Sequence, residues 1–274
     1  MRIPLVQIDA FAETLFEGNP AAVMPLEQWL PDEVLQRIAL ENHLSETAFL
    51  VPPGASAMGL DSDAPAYELR WFTPATEVDL CGHATLAAAS YLFDDVHPQA
   101  ASLRFSTRSG QLTVSRAGDG LLTMDFPAMT PAPVTIDPRI ATALGAEVRE
   151  AYQATDLIYL VKNAETVRGL SPDLTVLASL PVRDIAVTAP GTGSEFDFVS
   201  RWFGARAGVP EDPVTGSAHC QLAPLWAERL DRREMTARQM SPRGGTVHVT
   251  LQGDRVQLSG RCVRYLEGTA VLPD

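Results

Sequence analysis

The chain has 274 residues, of which 46% are hydrophobic and 20% are charged, as in a packed protein long enough for two domains. A net charge of -13 disfavours binding to nucleic acids and to anionic membrane surfaces. Three cysteines do not make a disulfide framework, and the first 23 residues lack the apolar core of a signal peptide, so we expect a cytoplasmic protein.

The first half of the chain alternates short strands with two helices. In chain order, the pattern predicts a strand at Ile3–Phe11, a turn at Gly18-Asn19-Pro20, a helix from Pro31 to Asn42, strands at Thr47–Val51 and Tyr67–Phe72, a helix after Gly82, and an antiparallel meander of Ser102–Thr107, Gln111–Arg116 and Leu121–Phe126.

A cluster of prolines then separates two halves, because regular structure does not readily cross Pro127, Pro131, Pro133 and Pro138. We expect domains at 1–126 and 127–267. The second half is predicted to contain helices after Asp137-Pro138, after Ser171-Pro172 and after Gly216, and strands at Leu157–Val161, Phe196–Phe203, Val247–Leu251, Arg255–Leu258 and Val263–Leu266. Many strands, few helices and no regular alternation of the two indicate an α+β fold.

An internal repeat relates the two halves. Arg70-Trp71-Phe72 is matched by Arg201-Trp202-Phe203, and each is followed by a Gly-x-Ala sequence that opens an apolar helix. The two helix starts, at Gly82 and Gly216, lie 134 residues apart, close to half of the chain. Chance could produce one Gly-x-Ala match, but the added Arg-Trp-Phe match favours a duplicated domain.

Two helix N-termini facing one cleft would bind a small anion through their free backbone N–H groups. We therefore take the repeated backbone positions as candidate substrate-binding residues, namely Gly82, Ala84, Gly216 and Ala218. His83 and Ser217 occupy equivalent positions in the repeat. A single histidine near a helix start is as often structural as functional.

Other candidate groups are acids and thiols near these helices. Glu46 stands at the start of an apolar strand, where a carboxyl group can transfer protons. Asp212 lies before the second helix, where it could equally serve as a helix cap. Cys81 is a candidate nucleophile or base because a helix N-terminus favours a thiolate. The spacing of Cys81 and His83 differs from that of zinc sites, so no metal is expected.

The sequence contains no complete cofactor-binding motif. Gly191-Thr192-Gly193 lacks the third glycine of a dinucleotide-binding loop, and the chain has no phosphate-binding P-loop. Hydride and phosphoryl transfer are therefore disfavoured.

Five blocks, in order along the chain, resemble the PhzF-like family of phenazine biosynthesis, within the diaminopimelate-epimerase-like superfamily. They are Gly18-Asn19-Pro20 with Ala22-Val23, Leu44–Phe49, Phe72-Thr73-Pro74 leading to Cys81–Thr85, Glu211–His219, and Arg243-Gly244-Gly245.

The resemblance implies two similar domains related by a pseudo-two-fold axis, each with a curved, mostly antiparallel sheet around a central helix. It implies that a C-terminal strand at about 268–274 returns to the first domain and that the protein is a homodimer with no cofactor or metal. Glu46 would be the proton shuttle, while His83, Asp212 and Ser217 would hold or polarise the substrate. Asn19 of the first block would join the substrate-binding residues.

The reaction type depends on the thiols. Epimerases of this superfamily use one thiol at each helix start, whereas here Cys81 has no thiol counterpart at Pro213, Val214 or Thr215. A one-base proton shift by Glu46 on a small anionic, carboxylate-bearing molecule fits better, as in the family's isomerisation of dihydro-hydroxyanthranilate. Two alternatives remain: an epimerase with Glu46 and Cys81 as opposing bases, and a binding protein with a vestigial site.

Overall fold

The computed structural model describes residues 1–53, 64–181, 184–193 and 195–273. The chain forms two compact units. The first comprises Met1–Asp125 and Ser259–Asp274, and the second comprises Phe126–Leu258.

The first unit is a sheet with two helices. Its helices are α1 (Asp32–Asn42) and α2 (Gly82–Tyr91), and a π-helical turn at Leu92–Val96 extends α2. Its strands are β1 (Arg2–Ala10), β2 (Asn19–Pro25), β3 (Glu46–Val51), β4 (Ala66–Phe72), β5 (Glu77–Val78), β6 (Ser102–Thr107), β7 (Gly110–Arg116), β8 (Leu122–Pro127) and, from the C-terminus, β17 (Cys262–Val271).

In the part of the chain that the structure describes, the second unit contains one long helix, α6 (Gly216–Leu230), and three short ones. Its helices are α3 (Pro138–Leu144), α4 (Ala164–Arg168), α5 (Leu174–Ser179) and α6 (Gly216–Leu230), with a 3₁₀ turn at Ala205–Ala207. Its strands are β9 (Ala132–Val134), β10 (Val148–Gln153), β11 (Leu157–Val161), β12 (Ile185–Pro190), β13 (Phe198–Phe203), β14 (Glu234–Gln239), β15 (Gly245–Gln252) and β16 (Arg255–Gly260).

The strand pairings of the two units follow one pattern. In the first unit, β17, β1 and β2 pair antiparallel, β2 and β3 pair parallel, β3 and β4 antiparallel, β4 and β6 parallel, and β6 and β7 antiparallel. In the second, β9, β10 and β11 pair antiparallel, followed by a parallel, an antiparallel, a parallel and an antiparallel pairing along β11, β12, β13, β14 and β15. The internal repeat is therefore a repeat of topology, and the α+β class is confirmed.

Each unit packs its sheet against one deeply buried helix. In α2 every residue from His83 to Ala89 is buried, and the helix contacts β1, β2 and β3. In α6 every residue from Ala218 to Ala227 is buried, and it contacts β14 and β15. A helix that is apolar on all sides is stable only when it is enclosed, which explains the nearly unbroken apolar sequence of both helices.

The predicted turn at Gly18-Asn19-Pro20 is correct only for its first residue. Gly18 has a φ of +70°, and a Cβ there would lie 2.3 Å from the carbonyl oxygen of Ala10. Asn19 and Pro20 already belong to β2. A proline is tolerated at the beginning of a strand, and the buried run that follows it extends the pairing with β1.

One further expectation needs correction. The proline-rich stretch contains a short strand, β9, in which Pro133 lies opposite Tyr152 of β10. The helix expected after Ser171-Pro172 is confirmed. It begins at Leu174, and the Asp173 side chain caps it by accepting a hydrogen bond from the Val176 amide. Among the described residues, no helix combines the length and apolar composition needed to cross a membrane.

Candidate active site

Three polar side chains of the first unit lie together where β3 begins and α2 starts. Glu46 is the first residue of β3 and pairs with Ala21 of β2, while Cys81 is the N-cap of α2 in an extended conformation and His83 lies in its first turn. Because α2 packs against β3, the carboxyl group, the thiol and the imidazole meet. Their functional atoms all lie within 4.8 Å of one another.

His83 lies between the other two groups. Its Nε2 atom is 3.0 Å from Oε2 of Glu46, and its Nδ1 atom is 3.5 Å from Sγ of Cys81. The contact with Glu46 has the distance of an ion pair but lacks the alignment of a hydrogen bond. The imidazole thus connects a buried thiol to a carboxyl group whose side chain remains 17% exposed.

Burial and charge act in opposite directions on this cluster. Burial disfavours the charged form of His83, but the neighbouring acidic groups, Cys81 and Glu46, raise its pKa well above the ordinary value. Burial, and then the negative charge of Glu46, raise the pKa of the Cys81 thiol. We therefore assign a protonated imidazole beside the Glu46 carboxylate.

A thiol, an imidazole and a carboxylate together are also zinc ligands. The two nitrogens of an imidazole ring point away from each other, however, and here each faces a different partner. An ion bound to either nitrogen would lie near Cys81 or near Glu46, and His83 would have to rotate for one ion to bind all three. The arrangement therefore fits proton transfer better than metal binding.

The other candidate residues of the first unit surround the same place. Gly82 and Ala84 flank His83 in the first turn of α2. Asn19 is fully buried and lies on β2 two residues before Ala21, the residue paired with Glu46. Side chains two residues apart on a strand share one face, so Asn19 is on the same face as Ala21.

In the second unit, Asp212, Gly216, Ser217 and Ala218 lie in one short stretch. Thr215 is the N-cap of α6, and its hydroxyl donates a hydrogen bond of 2.5 Å to Oδ2 of Asp212. Gly216 begins the helix, Ser217 is exposed, and Ala218 is buried. Each unit therefore brings its own candidates to the N-terminus of its buried helix.

Each of the two helix starts has an equivalent hydrogen bond from a side chain to the carbonyl oxygen of its N-cap residue. In α2 the Thr85 hydroxyl donates to the carbonyl oxygen of Cys81 at 2.6 Å. In α6 the Nδ1 atom of His219 lies 2.8 Å from the carbonyl oxygen of Thr215. Thr85 and His219 are equivalent in the repeat. Burial lowers the pKa of His219 to about 4, so the imidazole is neutral and its Nδ1–H donates to the carbonyl.

Sequence reasoning missed the residues that hold the Asp212 loop. Gln239, at the end of β14, and Ser241 bind backbone groups of residues 212–215 through their side chains. No local motif marks them, because their role depends on a contact between distant parts of the chain. The nearby Arg243-Gly244-Gly245 block was the only signal in that region.

Comparisons with known proteins agree with this architecture. The sequence model of the PhzC-PhzF family, "Phenazine biosynthesis-like protein", matches residues 8–271. An uncharacterized isomerase of Pseudomonas aeruginosa is 49% identical over 98% of this chain and 99% of its own. A PhzF-family crystal structure from Enterococcus faecalis is 43% identical, has a TM-score of 0.92, and is matched over 99% of this chain and 100% of its own.

A more distant structure shares the fold alone. A predicted epimerase from Pseudomonas aeruginosa superposes with a TM-score of 0.73 at 22% identity, over the full length of both chains. The epimerase-like architecture expected from the sequence is thereby confirmed.

Proposed function

Because the chain belongs to the phenazine biosynthesis-like (PhzC-PhzF) family, we propose that it is an isomerase in which Glu46 moves a proton on a small carboxylate-bearing substrate. The observation that carries the proposal is the 3.0 Å contact between Oε2 of Glu46 and Nε2 of the buried His83. The proposed reaction uses protein side chains alone, with no metal and no organic cofactor.

In this mechanism the Glu46 carboxylate removes a proton from a substrate carbon, and the electron pair delocalises into the conjugated part of the substrate. The protonated Glu46, whose partly exposed carboxyl group exchanges its proton with solvent, then delivers a proton to a different carbon on the same face. The positive charge of His83, 3.0 Å away, orients the Glu46 carboxylate at the start of the reaction. A carboxyl group that is 17% exposed combines contact with the protein and access for a substrate.

The first alternative, an epimerase with Glu46 and Cys81 on opposite faces of one carbon, fits the geometry poorly. Reacting atoms approach to about 3–3.5 Å, so two bases flanking a carbon are separated by roughly 6–7 Å. The oxygen of Glu46 and the sulfur of Cys81 lie within 4.8 Å of each other, and His83 contacts both. Little room is left there for a substrate carbon.

The second alternative is a binding protein with a vestigial site. A decayed site tends to retain some of its polar groups and to lose the contacts among them. The contacts of His83 with Glu46 and of Asp212 with Thr215 favour a working site.

The proposal assigns substrate binding to the remaining candidates. Asp212 and Ser217 contribute side chains, and each helix start offers backbone N–H groups to an anionic substrate, because a helix N-terminus favours an anion. These helix starts are formed by Gly82 and Ala84 and by Gly216 and Ala218, and Asn19 completes the set.

Location and assembly are part of the same proposal. Cys81, Cys220 and Cys262 are free thiols, and two of them are buried, as is common in a reducing compartment. We place the protein in the cytoplasm and assign it the homodimeric state that its sequence resemblance implies.

A deuterium wash-in experiment tests the reaction class. The protein is incubated in heavy water with a panel of small unsaturated carboxylates that includes dihydro-hydroxyanthranilate, and the products are analysed by mass spectrometry and NMR. A shifted double bond with deuterium at one carbon supports the isomerase. Deuterium with inversion at a single carbon would support the epimerase, and no exchange across the panel would support the binding protein.

A further inference from the structure

Gln239 is buried, and the hydrogen bonds of its side-chain amide join it to one loop of the second unit. Its side chain is fully buried at the end of β14. Its Oε1 accepts a hydrogen bond from the Thr215 amide at 2.9 Å, and its Nε2 donates to the carbonyl oxygen of Asp212 at 2.7 Å. One side chain therefore joins both ends of the segment that leads into α6.

The same amide also reaches the Thr215 hydroxyl. Nε2 of Gln239 donates to Oγ1 of Thr215 at 3.2 Å, and this hydroxyl donates to Oδ2 of Asp212 at 2.5 Å. A hydroxyl has a single proton to donate. Since its oxygen is approached by an N–H of Gln239, its own hydrogen is directed toward the Asp212 carboxylate.

A comparison with the first unit separates the hydrogen bonds that both loops share from those found only in the loop before α6. In both units a serine two residues beyond a strand donates to the carbonyl two residues before the helix N-cap: Ser109 to Asp79 at 2.6 Å, and Ser241 to Pro213 at 2.8 Å. This serine contact is therefore part of the shared scaffold.

The hydrogen bonds from the Gln239 amide to the Thr215 hydroxyl and from that hydroxyl to Asp212, by contrast, have no counterpart at the equivalent positions of the first unit. Val78 stands where the second unit has Asp212, Cys81 where it has Thr215, and Thr107 where it has Gln239. The Thr107 hydroxyl bonds within its own hairpin, to the carbonyl of Gly110 at 2.7 Å. The glutamine thus occurs together with the acid that it orients.

We propose that Gln239 is a positioning residue that fixes the direction of the Asp212 carboxylate through the Thr215 hydroxyl. This inference rests on the proposed function for its purpose, since Asp212 is the group assigned to bind substrate. The hydrogen bonds among Gln239, Thr215 and Asp212 can be measured without any substrate. A spectroscopic test of these bonds can therefore fail or succeed independently of the proposed isomerase activity.

The test follows the ¹³C resonance of the Asp212 carboxyl carbon in the full-length protein at pH 7, assigned by its absence in Asp212→Asn. Thr215→Val removes the donated hydrogen, and Gln239→Met removes the amide at nearly constant length. We expect both variants to shift the resonance in the same direction and the double variant to shift it no further than Thr215→Val, because the contacts act in series. The Thr215 amide of Gln239→Met should exchange with solvent at least about fivefold faster.

Two further variants guard against trivial explanations. Thr188→Val removes another buried hydroxyl of the same unit, one that donates to Val199 and accepts from Trp226, and it should leave the Asp212 resonance in place. Gln239→Asn, one methylene shorter, repeats the measurement if Gln239→Met does not fold. A resonance that moves in Thr215→Val and stays unchanged in the glutamine variants, or shifts that simply add in the double variant, would overturn the proposal.

Discussion

The guanidinium group of Arg201 donates two hydrogen bonds to the Glu211 carboxylate, at 2.6 and 2.7 Å. Arg70 and Glu77 make the same two-bond contact in the first unit, at 2.7 Å for each bond. Each arginine belongs to the Arg-Trp-Phe sequence at the end of a strand, and each glutamate stands five residues before the glycine that begins the buried helix. The repeated ion pair therefore anchors the loop that leads to each helix start.

Breaking the pair in the second unit should destabilise the protein substantially. The Arg201 side chain is 9% exposed and also donates to the carbonyl of Leu170, so removal of its partner leaves a poorly compensated buried charge. We expect Glu211→Gln to lower the free energy of unfolding by roughly 3 kcal/mol, measured by urea denaturation.

An exposed ion pair provides the matched control. Glu267, which pairs with Arg264 and is 63% exposed, undergoes the same chemical change in Glu267→Gln and should lose less than about 1 kcal/mol. Equal losses in the two variants would contradict the anchoring role of the buried pair.

The repeat was predictable because its marks are local in sequence. Arg-Trp-Phe and Gly-x-Ala lie close together in each half, and the apolar helices that follow are unmistakable in α2 and α6. The strands β2, β5, β9, β10, β12 and β14 were not predicted, and neither was the short helix α4. A strand depends on its neighbours in the sheet more than on its own periodicity.

The sequence indicated several residues of the candidate site but not the contacts among them. Glu46, His83 and Asp212 were selected from their positions beside recognisable elements. The sequence could not show that His83 faces both Glu46 and Cys81, or that Gln239 reaches Thr215 across 24 residues. Contacts of this kind arise from the packing of separate elements and leave no motif in the chain.

His219 should make the protein sensitive to acid between about pH 6.5 and pH 4. Burial lowers its pKa in the folded protein to about 4, whereas the unfolded chain takes up this proton near its ordinary value of 6.5. The stability linked to the neutral imidazole is therefore present above pH 6.5 and is lost as the pH falls toward 4, by about 3 kcal/mol in all.

The measurement is the free energy of unfolding as a function of pH for the wild type and for His219→Gln. The variant should lose most of this acid-dependent slope, whatever its stability at pH 7. His43→Asn, at an exposed histidine, should retain the wild-type slope. An unchanged slope in His219→Gln would show that other groups cause the acid sensitivity.

His83 should be charged at neutral pH. Its pKa is raised well above 6.5, so the stability that its charge contributes is complete below pH 6.5 and is lost as the pH rises through the raised value. We expect ¹⁵N NMR at pH 7.5 to show both ring nitrogens protonated. The stability difference between wild type and His83→Gln should shrink as the pH becomes more alkaline. A neutral ring at pH 7.5 would contradict the ion pair with Glu46.

Cys81 should be dispensable for the chemical step. Its thiol is buried, its pKa is raised by burial and by Glu46, and a serine hydroxyl can also accept a hydrogen bond from Nδ1 of His83. Cys81→Ser should retain the rate of deuterium incorporation within about tenfold of wild type, a barrier change of about 1.4 kcal/mol. A loss as large as that caused by replacing Glu46 would instead favour the two-base epimerase.

The most direct test of the account is the rate of proton transfer in Glu46→Gln. This variant keeps the size and polarity of the side chain but cannot accept the substrate proton. On the substrate identified by the deuterium panel, we expect it to fold as the wild type does and to lose at least about 10²-fold in rate. Glu41→Gln, at an exposed position near the end of α1, should retain the wild-type rate. Turnover by Glu46→Gln close to that of the wild type would contradict the proposed mechanism.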